Sequence, residues 1–372
     1  MNPLKQLVHI SRYYGNDPGY VIAGGGNTSY KTETELYIKA SGISLASIDE
    51  NGFVKMSREK LKQIEQATFP ADPSEREHAV KLALGKAVIS PENLRPSVET
   101  SLHNLIEYPF IVHTHPTLVN AVMCAQHAKE VVEERFGSDA IFMAYTDPGY
   151  ILFKELKQLV RAYESDHGKT PRIIFLQNHG VFVGAKSIED VSEVYLEVES
   201  RIREGKDLAL PGSEPEVRTS GATLVVDRFM KNKNLITTSF RSPLIDHFAA
   251  GDEMFERISR PFTPDIIVYC KSNYLYLRQG AEKELILREL GEFETRYGHL
   301  PRVIIEEQGG LIIAGENDQS VRTVLEVFTD MMKISYLSEQ FGGPHFMTEE
   351  QIAFIDNWEV ENYRRSVARN TR

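Results

Sequence analysis

The chain has 372 residues, 41% of them hydrophobic and 26% charged, which is enough apolar material for one large core or two smaller ones and too much for a disordered chain. A formal net charge of −11 excludes nucleic acid as the expected partner but leaves room for a small phosphorylated molecule at a local site. The two cysteines, Cys124 and Cys270, form no CxxC pattern, no apolar run approaches the roughly 20 residues needed to cross a bilayer, and the N-terminus has no secretory pattern, so a reducing, cytoplasmic setting without membrane contact is expected.

Residues 4–14 read as a short helix. Tyr20–Ala23 is strand-like and runs into Gly24-Gly25-Gly26-Asn27-Thr28-Ser29. This loop lacks G-x-G-x-x-G, and a strand rather than a helix follows it, so it is neither a dinucleotide fingerprint nor a P-loop. A glycine run does let backbone N–H groups turn inward as an anion nest, to which the side chains of Asn27 and Ser29 add donors and Lys31 adds charge. Leu36–Ala40 is a second strand, ending in Ser41-Gly42, another short donor pair. Residues 57–66 and 74–87 are helical in pattern. Pro96 and Ser97 open a helix in which Val98, Leu102, Leu105 and Ile106 recur at helical spacing. Glu99 lies near its start, where the helix dipole favours a carboxylate, and His103 shares the face of Glu99.

Pro109–His115 is an apolar run carrying His113-Thr114-His115; strand alternation points both imidazoles the same way. Residues 117–135 read as helix, 141–145 as strand and 152–166 as helix. Asn178-His179-Gly180 then forms the turn between Ile173–Leu176 and Val181–Val183, and residues 188–205 form another helix. Three neutral imidazoles on β elements suit a divalent metal with one coordination position open, Zn2+ or a similar ion. With Glu99 as base and a phosphate cradle from Asn27, Ser29, Ser41, Gly42 and Ser97, the constellation suggests carbonyl chemistry. The metal would act as a Lewis acid on a ketone oxygen and stabilise an enediolate, and Glu99 would move a proton to or from the adjacent carbon. The motifs alone leave retro-aldol cleavage and simple enolisation both open.

Leu210–Pro215 clusters breakers without periodicity, which predicts a catalytic domain over 1–210, a linker over 211–225 and a C-terminal domain over 226–372 for assembly or substrate closure. Residues 164–191 match 294–321 at a constant offset of 130, with Gly168/Gly298, Pro171/Pro301, Arg172/Arg302, Ile174/Ile304 and Gly180/Gly310 identical. Gly309 replaces His179, so the second part reads as a partial duplication without its metal ligand.

Gly25–Ser29, Ser41-Gly42, Pro96-Ser97-x-Glu99, His113-x-His115 and Asn178–Gly180 occur in the order seen in the class II aldolase/adducin family, which residues 5–205 resemble. The likeness is greatest to the aldolase part of bifunctional rhamnulose-1-phosphate aldolase/short-chain dehydrogenases, which share the glycine-rich start and a tail such as Phe354-Ile355-Asp356-Asn357-Trp358. No nucleotide-binding domain follows here, so dehydrogenase activity is expected on another chain or nowhere. The resemblance implies an α/β fold of three layers, α/β/α, around a largely antiparallel sheet, with a smaller C-terminal α/β domain carrying the degenerate repeat. It implies a homo-oligomer, usually a tetramer, with metal on His113, His115 and His179, catalysis by Glu99, and phosphate contacts from Asn27, Ser41, Gly42 and Ser97. Val98 stands where many of these aldolases have a second serine, which removes one phosphate donor. Tyr145 is the candidate for the family's proton-donating tyrosine. The implied activity is metal-dependent cleavage of a ketose 1-phosphate, such as one like rhamnulose 1-phosphate, to dihydroxyacetone phosphate and a short aldehyde. Sugar-phosphate 4-epimerases of the family usually carry Asp where Glu99 stands, and the related domain of the adducin scaffolds lacks the metal histidines.

Overall fold

The computed structural model describes residues 2–91 and 93–357; Trp358 of the tail motif and the last part of the expected C-terminal domain lie outside them. The chain divides into two compact units. The first runs to Met123 and from His127 to Gly205; the second takes Cys124–Gln126 and the chain from Lys206 onward. No helix among the described residues is long and apolar enough to cross a membrane.

The first unit contains, in order, α1 (Pro3–Gly15), β1 (Asn27–Lys31), β2 (Glu35–Lys39), β3 (Phe53–Ser57), α2 (Arg58–Gln66), α3 (Pro73–Ala87), β4 (Val88–Ser90), α4 (Thr100–Leu105), β5 (Phe110–Thr114), α5 (Thr117–Met123), α6 (Ala128–Phe136), β6 (Ala140–Met143), α7 (Tyr150–His167), β7 (Ile173–Leu176), β8 (Gly180–Ala185) and α8 (Ile188–Arg203). Asn2, Ser57, Asp72 and Ser187 cap α1, α2, α3 and α8 with side-chain oxygens, and Gly168 ends α7 in the left-handed conformation. The eight strands form one sheet in the order β4-β3-β2-β1-β5-β8-β7-β6, antiparallel except for the β6–β7 pair. Helices cover both faces. On one, α2 and α3 pack Leu61, Ile64, Val80 and Leu84 on Leu36, Ile38, Val54 and Met56, while α4 and α7 cover Ile111, Ile174 and Phe182. On the other, α1 and α8 lie against β1, β5 and β8. The three-layer α/β/α architecture is therefore present.

Two local readings change. Tyr20–Ala23 forms turns instead of a strand, and the first strand begins at Asn27 inside the expected glycine loop. The helix expected over 117–135 is interrupted after Met123, because residues 124–126 leave it to pair within the second unit.

The second unit contains β9 (Glu216–Val217), α9 (Gly221–Lys231), β10 (Ile236–Arg241), α10 (Pro243–Phe248), α11 (Asp252–Glu256), α12 (Pro264–Cys270), β11 (Leu275–Leu277), α13 (Lys283–Tyr297), β12 (Val303–Glu306), β13 (Gly310–Gly315), α14 (Asp318–Ser338) and α15 (Glu349–Asn357). The stretch 211–225 is thus more than a connector: it holds β9 and the first turn of α9, which Ser220 caps. The five strands run β11-β12-β13-β10-β9, with β11–β12 parallel and the rest antiparallel. That is the order and sense of β6-β7-β8-β5-β1 in the first unit. The duplication therefore reaches well beyond the hairpin legible in the sequence. Register locates the equivalents: His113 pairs with Phe182 in β8, and Ser239 pairs with Ile312, the residue 130 further on, in β13. Ser239 and Arg241 occupy the places of His113 and His115, and Gly309 that of His179.

Candidate active site

β1 and β5 form the floor of the site. Asn27 pairs with His113 and Ser29 with Ile111, so Asn27, Ser29 and His113 share one face of the sheet, the face that α4 covers. Gly26 makes this join possible: a Cβ there would lie 2.8 Å from the His113 carbonyl oxygen, and its φ of +69° favours glycine. Gly180 does the same on the other edge of β5, where a Cβ would lie 2.4 Å from the carbonyl oxygen of Thr114.

The ligating atoms of His113, His115 and His179 all lie within 4.8 Å of one another. Ring centroids are 4.8 Å apart for His113–His115, 5.0 Å for His113–His179 and 4.9 Å for His115–His179. The His113 ring is fully buried and stacks on Phe182 at 4.0 Å. Its Nδ1 donates to the Val181 carbonyl at 3.0 Å, so Nε2 keeps its lone pair and faces His115 Nε2 at 3.0 Å. Burial pushes the His113 pKa well below its usual range, which keeps the imidazole neutral. Neutral rings oriented by a backbone carbonyl are what a divalent cation requires of its histidine ligands. The three side chains can hold a metal.

Glu99 completes the group. It is the N-cap residue of α4, which begins at Thr100, two residues later than the sequence pattern implies. Ser97 supports this start: its Oγ accepts from Glu99 N–H at 3.3 Å and its carbonyl accepts from the Thr100 hydroxyl at 2.6 Å. Oε2 of Glu99 accepts from the Asn27 side-chain amide. Oε1 has no hydrogen-bond partner and stands 3.5 Å from His113 Nε2 and 3.6 Å from His179 Nε2. Burial opposes the charge of Glu99, but the Asn27 N–H and the positive charge of the ring cluster whenever one of its rings is protonated outweigh it and hold the carboxyl below its usual range.

The expected anion cradle is only partly assembled. Ser41 N–H donates to the Arg95 carbonyl, Ser97 N–H donates to the Lys39 carbonyl, and Ala40 bridges Pro96, so Ser41, Gly42 and Ser97 lie side by side. Asn27 faces Glu99. Ser29 leaves the donor set, because its hydroxyl meets Nδ1 of His103 at 2.7 Å. Lys31 leaves it too: its buried ammonium donates to the carbonyls of His103 and Ile106 in and just past α4. Tyr145 N–H donates to Gln177 Oε1 at 3.2 Å, beside the hairpin turn, and burial raises its phenol above the usual range. His103, which the sequence gives only as a neighbour of Glu99 on one helical face, proves fully buried and bonded to both Ser29 and Asn27.

The family model of the class II aldolase and adducin N-terminal domain matches residues 5–204, more than half of the chain. The protein belongs to that family. Among individual proteins it is similar to the uncharacterized oxidoreductase YuxG of Bacillus subtilis (strain 168), 26% identical over 195 residues that make up 50% of this chain. The match spans only 27% of that relative's length. Among solved structures, the N-terminal class II aldolase domain of a conserved protein from Thermoplasma acidophilum is 25% identical, with a TM-score of 0.45, covering 54% of this chain and 91% of that one. An L-fuculose 1-phosphate aldolase is 20% identical, with a TM-score of 0.37, covering 56% of this chain and 90% of that one.

Proposed function

We propose that the protein is a metal-dependent aldolase that cleaves a ketose 1-phosphate, one like rhamnulose 1-phosphate, to dihydroxyacetone phosphate and a short aldehyde. The observation that carries this reading is the unpartnered Oε1 of Glu99, 3.5 and 3.6 Å from two rings of a three-histidine cluster. His113, His115 and His179 hold the cation, with Zn2+ the ion that this ligand set suits. When bound, it supplies Lewis-acid polarisation of the substrate's carbonyl oxygen. In the cleavage direction Glu99 Oε1 takes the proton of the hydroxyl beta to that carbonyl, the carbon–carbon bond breaks to release the aldehyde, and Glu99 returns the proton to the carbon next to the carbonyl. Ser41, Gly42 and Ser97, with the second N–H of the Asn27 amide, bind the phosphate.

The test is a screen of ketose 1-phosphates, with metal and with chelator, that reads released dihydroxyacetone phosphate. Activity that chelator removes is the expected result. A product that is an isomeric sugar phosphate, with no dihydroxyacetone phosphate, would identify a 4-epimerase instead. Glu99→Gln keeps the shape of the side chain and removes its basicity; kcat should fall about 10²–10⁴-fold with metal partly retained. Turnover at the parent rate would remove Glu99 from its role.

A further inference from the structure

His103 is the most completely enclosed ionisable side chain beside the histidine cluster, at 0% exposure. Its two ring nitrogens have different partners: Nδ1 meets the Ser29 hydroxyl at 2.7 Å, and Nε2 meets the Asn27 side-chain oxygen. The Asn27 amide nitrogen in turn donates to Oε2 of Glu99. The direction of every bond in this chain follows from its last member. A carboxylate oxygen accepts, so Asn27 presents N–H to Glu99 and its carbonyl oxygen to His103. That oxygen accepts as well, so Nε2 of His103 carries the proton. Burial holds the His103 pKa down at about 3, so the ring is neutral, Nδ1 is unprotonated, and Ser29 is its donor. Turning the amide over would set its oxygen against a carboxylate oxygen and leave two acceptors facing each other.

We propose that His103 is a positioning residue: held as its Nε2–H tautomer between Ser29 and Asn27, it orients the Asn27 amide so that Oε2 of Glu99 is occupied and Oε1 alone is presented to the three imidazoles. The carboxylate is thereby divided into one anchored and one working oxygen. Asn27 keeps one further N–H on the same nitrogen, which is what remains for a substrate anion. The anchoring also explains why β1 places a serine, and not an apolar residue, under α4: the Ser29 hydroxyl selects the tautomer.

The kinetic arm of the test rests on the aldolase reading, whereas the spectroscopic arm does not. In full-length protein labelled with ¹⁵N-histidine, the His103 resonances are assigned by their loss in His103→Gln. At neutral pH the expected pattern is a protonated Nε2 and an unprotonated Nδ1. A protonated Nδ1, or a doubly protonated ring, overturns the proposal whatever the enzyme does. For kinetics, His103→Leu keeps the bulk and removes the donor. With metal content and KM near the parent values, kcat should fall about 10–100-fold. His103→Gln, whose amide can still donate to Asn27, should recover most of that loss. Equal losses in Leu and Gln variants would mean packing alone and overturn the proposal, as would parent-level kcat in His103→Leu. If His103→Leu does not fold, the tautomer measurement on the unmodified protein decides. If the parent cleaves no ketose 1-phosphate, the aldolase reading falls and the tautomer measurement still stands.

Discussion

The three clustered histidines were legible because their identity and strand spacing suffice: His113 and His115 alternate onto one side, and His179 sits in a tight turn between apolar strands. Asn27 and His103 were not legible as partners, because their meeting depends on the β1–β5 register and on how α4 crosses it. Asn27→Asp tests the N–H that anchors Glu99. It replaces a donor with an acceptor beside a carboxylate, so kcat, measured with metal content held at the parent value, should drop about 100-fold or more. Lys31 makes a separate statement about pH. Burial lowers its pKa from the ordinary 10.5 to about 7, so between these values the unfolded chain binds more protons than the folded one. Stability should therefore rise with pH across that window by up to a few kcal/mol and be lower below it. Urea midpoints measured through this range should slope upward in the parent and flatten in Lys31→Met; an unchanged slope would assign the effect to another group.

At the scale of elements, helices α1, α2, α3, α7 and α8 fall close to where the pattern places them: α1, α2, α3 and α8 have a polar N-cap, and α7 has a long apolar stripe that ends at Gly168. Strand β1 was hidden for the opposite reason. Its alternation is real but polar: Asn27, Ser29 and Lys31 face α4, and Thr28 turns the other way to meet the Ser11 hydroxyl at 2.7 Å. A strand whose inward side chains are all hydrogen-bonded to one helix carries no hydrophobic period to read. The β5 end and the turn at Gly180 are packed backbone against backbone, which gives a stability test. Gly180→Ala places a Cβ 2.4 Å from the Thr114 carbonyl oxygen and 2.8 Å from His115 Cδ2. We expect a loss of about 1–3 kcal/mol in chemical denaturation, together with weaker metal retention because the His115 ring is displaced. A variant as stable and as metal-rich as the parent would contradict that packing.

For the whole molecule, the sequence showed one repeated hairpin and helix, and the structure shows a repeated five-stranded sheet. The remainder was illegible because β10 keeps the pairing of β5 while exchanging its residues, Ser239 for His113 and Arg241 for His115. A cavity of about 600 Å³ persists at this position, lined by Arg218, Ser220, Arg241, Ser242 and Gln308, but the arginines are already paired with Glu216 and Asp246. Metal analysis of purified protein should therefore find about one ion per chain, abolished by substituting His113 and His179 together; two ions per chain would mean that the second unit has ligands of its own. The homotetramer suggested by family resemblance is open to light scattering.

The two hairpin turns differ in one informative respect. Asn178 adopts φ +54° immediately before His179, a position where a left-handed residue invites the interpretation that the backbone is stressed for chemistry. Gln308 adopts φ +55° before Gly309, where no imidazole follows. The same unusual torsion with and without a histidine after it belongs to the turn itself, so the bend is architectural. Grafting histidine onto 309 would accordingly need no new main-chain path. It would need space, because a Cβ at that glycine falls 2.2 Å from Cδ of Glu306.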